Sequence, residues 1–357
     1  MDPLTHFLTG GCLGRAGFNR KSALVTATMV LAAEAADLDV LWGFKGSIAE
    51  LQHHRGITHS FVGVPFVAAA VWLFMYGLHW LRQQRPRGKP HAQPVRWGYL
   101  YFVALVAAAS HLLLDYTTSY GIRLFEPFNY RWYTWDIMYI LDPVIWAVLI
   151  AGLALPSLAG LINQEIGVRR KGPRGRVGAI IALLCMVATW GVRDFQHRRA
   201  VNLLNSFLYQ GEAPQRVGAY PYMIDIFRWH GVVETTDLFE TVPVNSGLAK
   251  VDEDSAVVFY KPPETEVTQA AKASYLGRVY LDWAVFPFVR AQTLEGETPG
   301  YLVSFQDLRY TYPEARGRRV PLGAFVLLSP QLQVLDEGMN MRKSPSIENL
   351  EHPPGQR

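Results

Sequence analysis

Long apolar runs separated by short charged connectors fill the first 195 residues, after which the chain changes to brief apolar stretches cut by Gly, Pro and acidic residues. A helix needs roughly 20 residues to cross a hydrocarbon core. Four or five segments approach that length, at 22–41, 57–81, 97–115, 137–162 and 177–193. The first carries Glu34, Asp37 and Asp39, which are costly in lipid unless they face a protein-lined cavity. The opening run MDPLTHFLTGGCLG is short and has no basic residue ahead of its apolar part. It reads as a short re-entrant or partly inserted helix rather than a cleavable signal peptide.

Beyond residue 194, RDFQHRRAVNLLNSFLY reads as a helix leaving the membrane. The runs AVVFY, GRVYLDWAVFPFVRA, GYLVSFQDLRYTY and GAFVLLSP are β-branched and aromatic and are bounded by turn residues, the pattern of short strands. The expected architecture is therefore a mainly α membrane protein. Residues 1–194 form a polytopic helical bundle of about five transmembrane helices, residues 195–340 a small strand-rich extracytoplasmic domain (α+β or mainly β), and residues 341–357 a polar, disordered tail.

Charge orients this arrangement. The linkers 82–96 and 163–176 each carry five Lys or Arg, against no acid and the single Glu165 respectively, which marks both as cytoplasmic. GRAGFNRKS points the same way, and Trp42, Trp80, Trp97, Trp132, Trp135 and Trp190 fall near segment ends, where interfacial anchors belong. The net charge of +4 largely reflects these anchoring loops, so it gives no reason to expect nucleic-acid binding. Cys12 and Cys185 both lie in membrane segments, so the outer domain must be stable without a disulfide.

With those loops inside, ligand-type side chains gather at the outer ends of the spans. Asp37 and Asp39 close the first, His53, His54 and His59 open the second, His111 and Asp115 close the third, Asp136 and Asp142 open the fourth, and His6 joins them if the N-terminal run begins outside. Intramembrane ionisable groups are expensive and point to function. HLLLD puts His111 and Asp115 on one helical face, where they can share an ion or where the carboxylate can orient the imidazole. In HRGITHS, His54 and His59 flank a Gly that permits a tight turn, and Thr58 or Ser60 is suited to cap the next helix. Arg55 is either an anion clamp or the charge partner of an aspartate. His53 reads as interfacial or hydrogen-bonded, and DLD supplies one ligand and one brace or a solvated terminus.

TH at 5–6, DLD at 37–39, HRGITHS at 54–60 and SHLLLDYTTSYG at 110–121 resemble the ordered motif set of the YdjM-like family of membrane-bound, metal-dependent hydrolases. The resemblance covers about the first 145 residues. It implies a helical membrane protein, remotely similar to the zinc-dependent phospholipase C and P1 nuclease group. The implied metal ligands are His6, Asp37, Asp39, His54, His59, His111 and Asp115, with Arg55, Thr58 and Ser60 in support. In the family the aspartate pair is often preceded by Pro and followed by His; here Ala36 and Val40 stand there. The phospholipase group also ligates metal through its mature N-terminal residue, and MDPLTH gives no sign of that.

The expected function is a metal-dependent hydrolase of the inner membrane, acting at its extracytoplasmic surface on a membrane lipid or lipid-linked phosphate ester. Its cofactor would be one or two divalent ions, zinc by the histidine-plus-carboxylate donors. Such an ion lowers the pKa of a bound water to about 7 and polarises the scissile oxygen. Asp39 or Asp115 would take the proton, and Arg55 would stabilise developing charge. Two other classes remain: a metal or proton transport or sensing site, and an ion that merely clamps helices. Transport should extend polar residues through the cytoplasmic halves, which instead stay apolar, as in VGVPFVAAAVWLF. Several contributing segments and an exposed Arg55 favour an open site over a closed clamp. In the outer domain His230, Asp307 and Arg309 are assigned ordinary strand or loop roles.

Overall fold

The computed structural model describes residues 1–84, 93–165, 175–295, 299–312 and 321–339. These divide into two units. The first comprises Met1–Val40, His54–Phe195 and Pro221–Ile226; the second comprises Leu41–His53, Gln196–Tyr220 and Phe227–Arg357. The expected tail at 341–357 lies outside the described residues.

In the first unit, α1 (Pro3–Arg15) begins at Asp2, whose carboxylate accepts the Thr5 N–H, and has Pro3 in its first turn, where a missing N–H costs nothing. It packs on α2 (Val25–Glu34). The approach is close: a Cβ on Gly10 would stand 2.8 Å from the Met29 carbonyl oxygen, so only glycine fits without a shift.

The first expected span does not persist as one helix. After Glu34 the backbone tightens into a 3-10 run over Ala35–Lys45, because Asp37 and Asp39 turn toward histidines and backbone donors of the same unit instead of continuing an apolar face. Among the described residues three helices are long and apolar enough to cross a membrane: α4 (Gly63–Gln83), α5 (Trp97–Tyr116) and α7 (Arg176–Ser206). A shorter apolar stretch, Pro143–Pro156, lies within α6 (Pro143–Glu165).

The α5 sequence explains how the site is aimed. Its buried residues include Leu100, Val103, Ala104, Ala107, Ala108, His111, Leu112 and Asp115, spaced three and four apart along a single stripe. The small alanines let α5 lie close to α2, where Ala32 and Ala33 belong to the same apolar cluster. His111 and Asp115 continue this stripe at the helix end, so packing turns them inward. The outward residues Phe66, Leu73 and Phe74 of α4 and Phe102 of α5 are exposed, as side chains facing lipid are.

The second unit contains α3 (Ser47–His53), the end of α7, and two antiparallel sheets. One joins β1 (Arg216–Pro221), β2 (Arg228–Glu234), β3 (Leu238–Asn245) and β4 (Lys250–Val251) in that order, with β5 (Val257–Tyr260) also pairing β3. The other orders β6 (Pro287–Leu294), β7 (Gly300–Asp307), β8 (Ala324–Leu328) and β9 (Val334–Met339). Helices α8 (Glu266–Ala273) and α9 (Tyr275–Trp283) lie between them in sequence. The stretch GRVYLDW, expected as strand, is thus helical. Ser274 caps α9 by accepting the Gly277 N–H, and Leu276, Val279, Tyr280 and Trp283 form its buried face at helical spacing. Although α3 is flanked in sequence by Asp39 and His54, it belongs to this unit, held by Tyr275 Oη donating to Gln52 Oε1 at 2.5 Å.

Candidate metal centre

Three segments of the first unit bring the histidines and aspartates together. The 3-10 run carries Asp37 and Asp39, a turn and one short helix, Ile57–His59, carry His54, Arg55 and His59, and α5 carries His111 and Asp115. The turn is made at Arg55, which takes φ +59°, rather than at Gly56, whose φ is −86°. Asp39 holds it there by accepting the Arg55 N–H at 2.9 Å and the Thr58 hydroxyl at 2.8 Å through Oδ2. Ser60 does not cap α4, whose N-cap is Val62, but its hydroxyl accepts the Gly63 N–H at 2.9 Å in the turn that leads into the helix. Gly63 itself is required, since a Cβ there would fall 1.8 Å from the Ile57 carbonyl oxygen.

At the centre, Nε2 of His59 and Nε2 of His111 are 2.9 Å apart. Asp115 Oδ2 is 3.2 Å from each, and Asp37 Oδ1 is 3.3 Å from the first and 3.5 Å from the second. The chemistry of the outer nitrogens fixes which tautomer each ring adopts. His111 Nδ1 lies 2.6 Å from the Ala33 carbonyl oxygen, which can only accept, so Nδ1 carries the hydrogen and Nε2 presents a lone pair. His59 Nδ1 faces Thr58 Oγ1 at 3.0 Å and Asp39 Oδ2 at 3.1 Å. The Thr58 hydrogen is already given to Asp39, so His59 Nδ1 donates, and in the neutral ring its Nε2 also presents a lone pair. Two lone pairs and two carboxylate oxygens therefore face one another in a site where His59, His111 and Asp115 are fully buried.

With both rings neutral, such a set repels itself unless a cation lies between its members. Donors about 2.0–2.1 Å from a shared tetrahedral ion stand about 3.3–3.4 Å apart, close to the separations found here. Asp37, His59, His111 and Asp115 form one group able to hold a metal ion, and Asp37, Asp39 and His54 form another. His6 is fully buried, stacks on His111 at 3.9 Å and approaches Asp115 Oδ1 at 3.4 Å. Neither of its ring nitrogens, nor Asp115 Oδ2, has a hydrogen-bond partner among the described residues.

Arg55 does not occupy the exposed position expected of it. It is 3 % exposed, its Nη2 donates to Asp115 Oδ1 at 2.9 Å, its Nη1 donates to Thr118 Oγ1 at 3.2 Å, and it lies over the Tyr120 ring. The charge it balances sits inside the protein, which draws the side chain inward. The Met1 amino group also donates to Asp115 Oδ1, a contact with no signal in MDPLTH. The Ala33 carbonyl was equally invisible beforehand, being a backbone group. Asp142 and Asp136 have other partners. Asp142 accepts from the Val144 and Ile145 N–H groups and from Arg193, and Asp136 accepts from Thr134. His53 belongs to the second unit and stacks on Trp42.

The profile of the YdjM inner membrane protein family matches residues 1–200, which include every residue of this centre. Among curated proteins, the uncharacterized protein YfhP of Bacillus subtilis (strain 168) is 24% identical over 163 residues, covering 43% of this chain and 46% of that one. The match thus spans less than half of that relative's length. No solved structure matches.

Proposed function

Since the chain belongs to the YdjM inner membrane protein family, we propose that it is a membrane-bound, metal-dependent hydrolase acting on lipid or lipid-phosphate esters at the extracytoplasmic surface. The observation that carries the metal part is the meeting of two imidazole nitrogens, 2.9 Å apart, with two carboxylate oxygens 3.2–3.5 Å from them. Imidazole and carboxylate donors together suit zinc. A bound divalent ion supplies Lewis acidity and water ionisable near pH 7.

The chain's own residues do the rest. His111 is oriented by Ala33 and His59 by Asp39, so their lone pairs are fixed before any ligand arrives. Arg55 positions Asp115 and offsets its charge. Asp39, 3.1 Å from His59 Nδ1 and 2.7 Å from His54 Nδ1, holds both rings by their Nδ1 atoms. Location supports the substrate class. The basic linkers join the far ends of α4–α5 and α6–α7, so the start of α4 and the end of α5, where His59 and Asp115 stand, face outward by the positive-inside rule.

A helix-clamping ion is the second reading, and one observation favours it: four protein donors meet at that position and leave it closed, as in structural sites. Elemental analysis of the detergent-purified protein, combined with hydrolysis of lipid extracts, separates the two. Stoichiometric metal with ester turnover is expected. Metal without turnover would favour the clamp, and no metal would remove both.

A further inference from the structure

We propose that the centre holds two ions sharing Asp37, an inner one that is coordinatively closed and an outer one that is open and carries the reaction. This rests on the metal reading above and assigns the open position that the first group of donors lacks.

Asp37 belongs to both groups of donors, and a carboxylate has two oxygens with which to bridge. The groups differ in exposure. In the inner one His59, His111 and Asp115 are fully buried and Asp37 completes four protein donors. The outer one offers only Asp37, Asp39 and His54, and two of these reach solvent, with side chains 20% and 21% exposed for Asp37 and His54. Three protein donors and an accessible face are the pattern of a catalytic position, whereas four buried donors are that of a structural one.

Charge determines how the outer ion binds. One divalent ion together with the Arg55 guanidinium already balances Asp37, Asp39 and Asp115 before the Met1 amino group on Asp115 is counted, so a second leaves the centre positive. The outer ion is therefore the weaker of the two, and an anion at the open face strengthens it. By linkage the anion must bind more tightly in turn when that ion is present. A phosphoester or phosphomonoester group meets this requirement better than a neutral carboxylic ester.

The test uses the full chain in detergent, stripped of metal and dialysed to saturation against Mn(II), with ions counted by mass spectrometry and their coupling read by electron paramagnetic resonance. Two ions per chain with a spin-coupled signal are expected. Inorganic phosphate should lower the Mn(II) concentration needed to fill the second position by about tenfold, a coupling within the usual 5–150-fold range. His54→Gln should retain one ion with an uncoupled signal and lose the phosphate effect. A single ion in the wild-type chain at saturation would overturn the proposal while leaving the metal reading intact, and no ion at all would overturn both. Should His54→Gln fail to fold, the wild-type count and coupling still decide.

Discussion

Two clusters of buried charge, one in each unit, use the same residue types and reach opposite outcomes. In the second unit Asp307 accepts the backbone N–H groups of Val285, Phe286 and Arg309 as well as Arg309 Nε. Arg309 also donates to the Trp283 carbonyl and lies over the Trp283 and Tyr310 rings. Burial works against the Arg309 charge, but Tyr310 and Asp307 outweigh it and hold the guanidinium above its ordinary range. His230 sits 2.9 Å from the Leu308 carbonyl and stacks on Tyr312. In the first unit Asp115 Oδ2 and Asp37 Oδ1 instead face imidazole lone pairs. Burial of charge is common to both. What distinguishes them is whether fixed donors meet the carboxylate's demand, and only the first leaves room for a cation.

The largest effect is expected where that demand is met internally. Asp307→Ala removes the acceptor of four hydrogen bonds and leaves Arg309 buried without its counter-charge, which should cost about 3–5 kcal/mol. Limited proteolysis and denaturant melts of the second unit would register the loss, with metal content unchanged. If the metal content fell as well, the two clusters would not be independent.

Arg55→Ala is the matching cut in the first unit. In metal-free protein it should destabilise by about 3 kcal/mol, because Asp115 keeps its burial and loses the guanidinium, with only the Met1 amino group left on the same oxygen. Loaded protein should lose less, since an ion beside Asp115 supplies part of the compensation. Equal losses with and without metal would mean that no ion shares that carboxylate.

A smaller change follows from the inner donors. His111→Ala and His59→Ala should each abolish most metal binding, and the double substitution should add little, as expected of residues acting jointly. The accompanying stability loss is the ion's linkage term, about 2.7 kcal/mol at a hundredfold excess over Kd. Additive losses, read from melts with and without chelator, would separate the two histidines.

The smallest is a surface cluster of one carboxylate and two cations. Burial works against the Glu234 carboxylate, but the Lys261 hydrogen bond and Arg216 outweigh it and hold its pKa below the ordinary carboxylate value. Its contribution is present above the unfolded carboxylate pKa and lost as pH falls through the lowered folded value. Both cations are partly exposed, so Glu234→Gln should cost about 0.2–1 kcal/mol near neutrality and nothing in strong acid. A cost that grew on acidification would contradict the sign.

Much of the site could be read from spacing alone. HLLLD puts His111 and Asp115 four apart, and the alanine seam ahead of them carries the same three-and-four periodicity, so their inward direction follows from the α5 sequence. The length of the first apolar run misled, because propensity and hydropathy do not register that Asp37 and Asp39 will be claimed by His54, His59 and the Arg55 backbone. The helix α9 was hidden by its β-branched and aromatic composition, although its buried residues keep a helical period. The Ala33 carbonyl that fixes the His111 tautomer has no side-chain signature. Arg55 carried its charge in the sequence but not its partner, and the partner decides whether it faces inward or out.

Closure of His59, His111, Asp37 and Asp115 around one divalent ion can be read by X-ray absorption at the edge of the metal bound to the purified chain. The expected first shell is nitrogen and oxygen at about 2.0–2.1 Å if the ion is zinc, with imidazole outer-shell scattering that falls in His111→Ala. A stoichiometric metal whose spectrum lacks imidazole scattering, or is unchanged in His111→Ala, would place the ion elsewhere and contradict it.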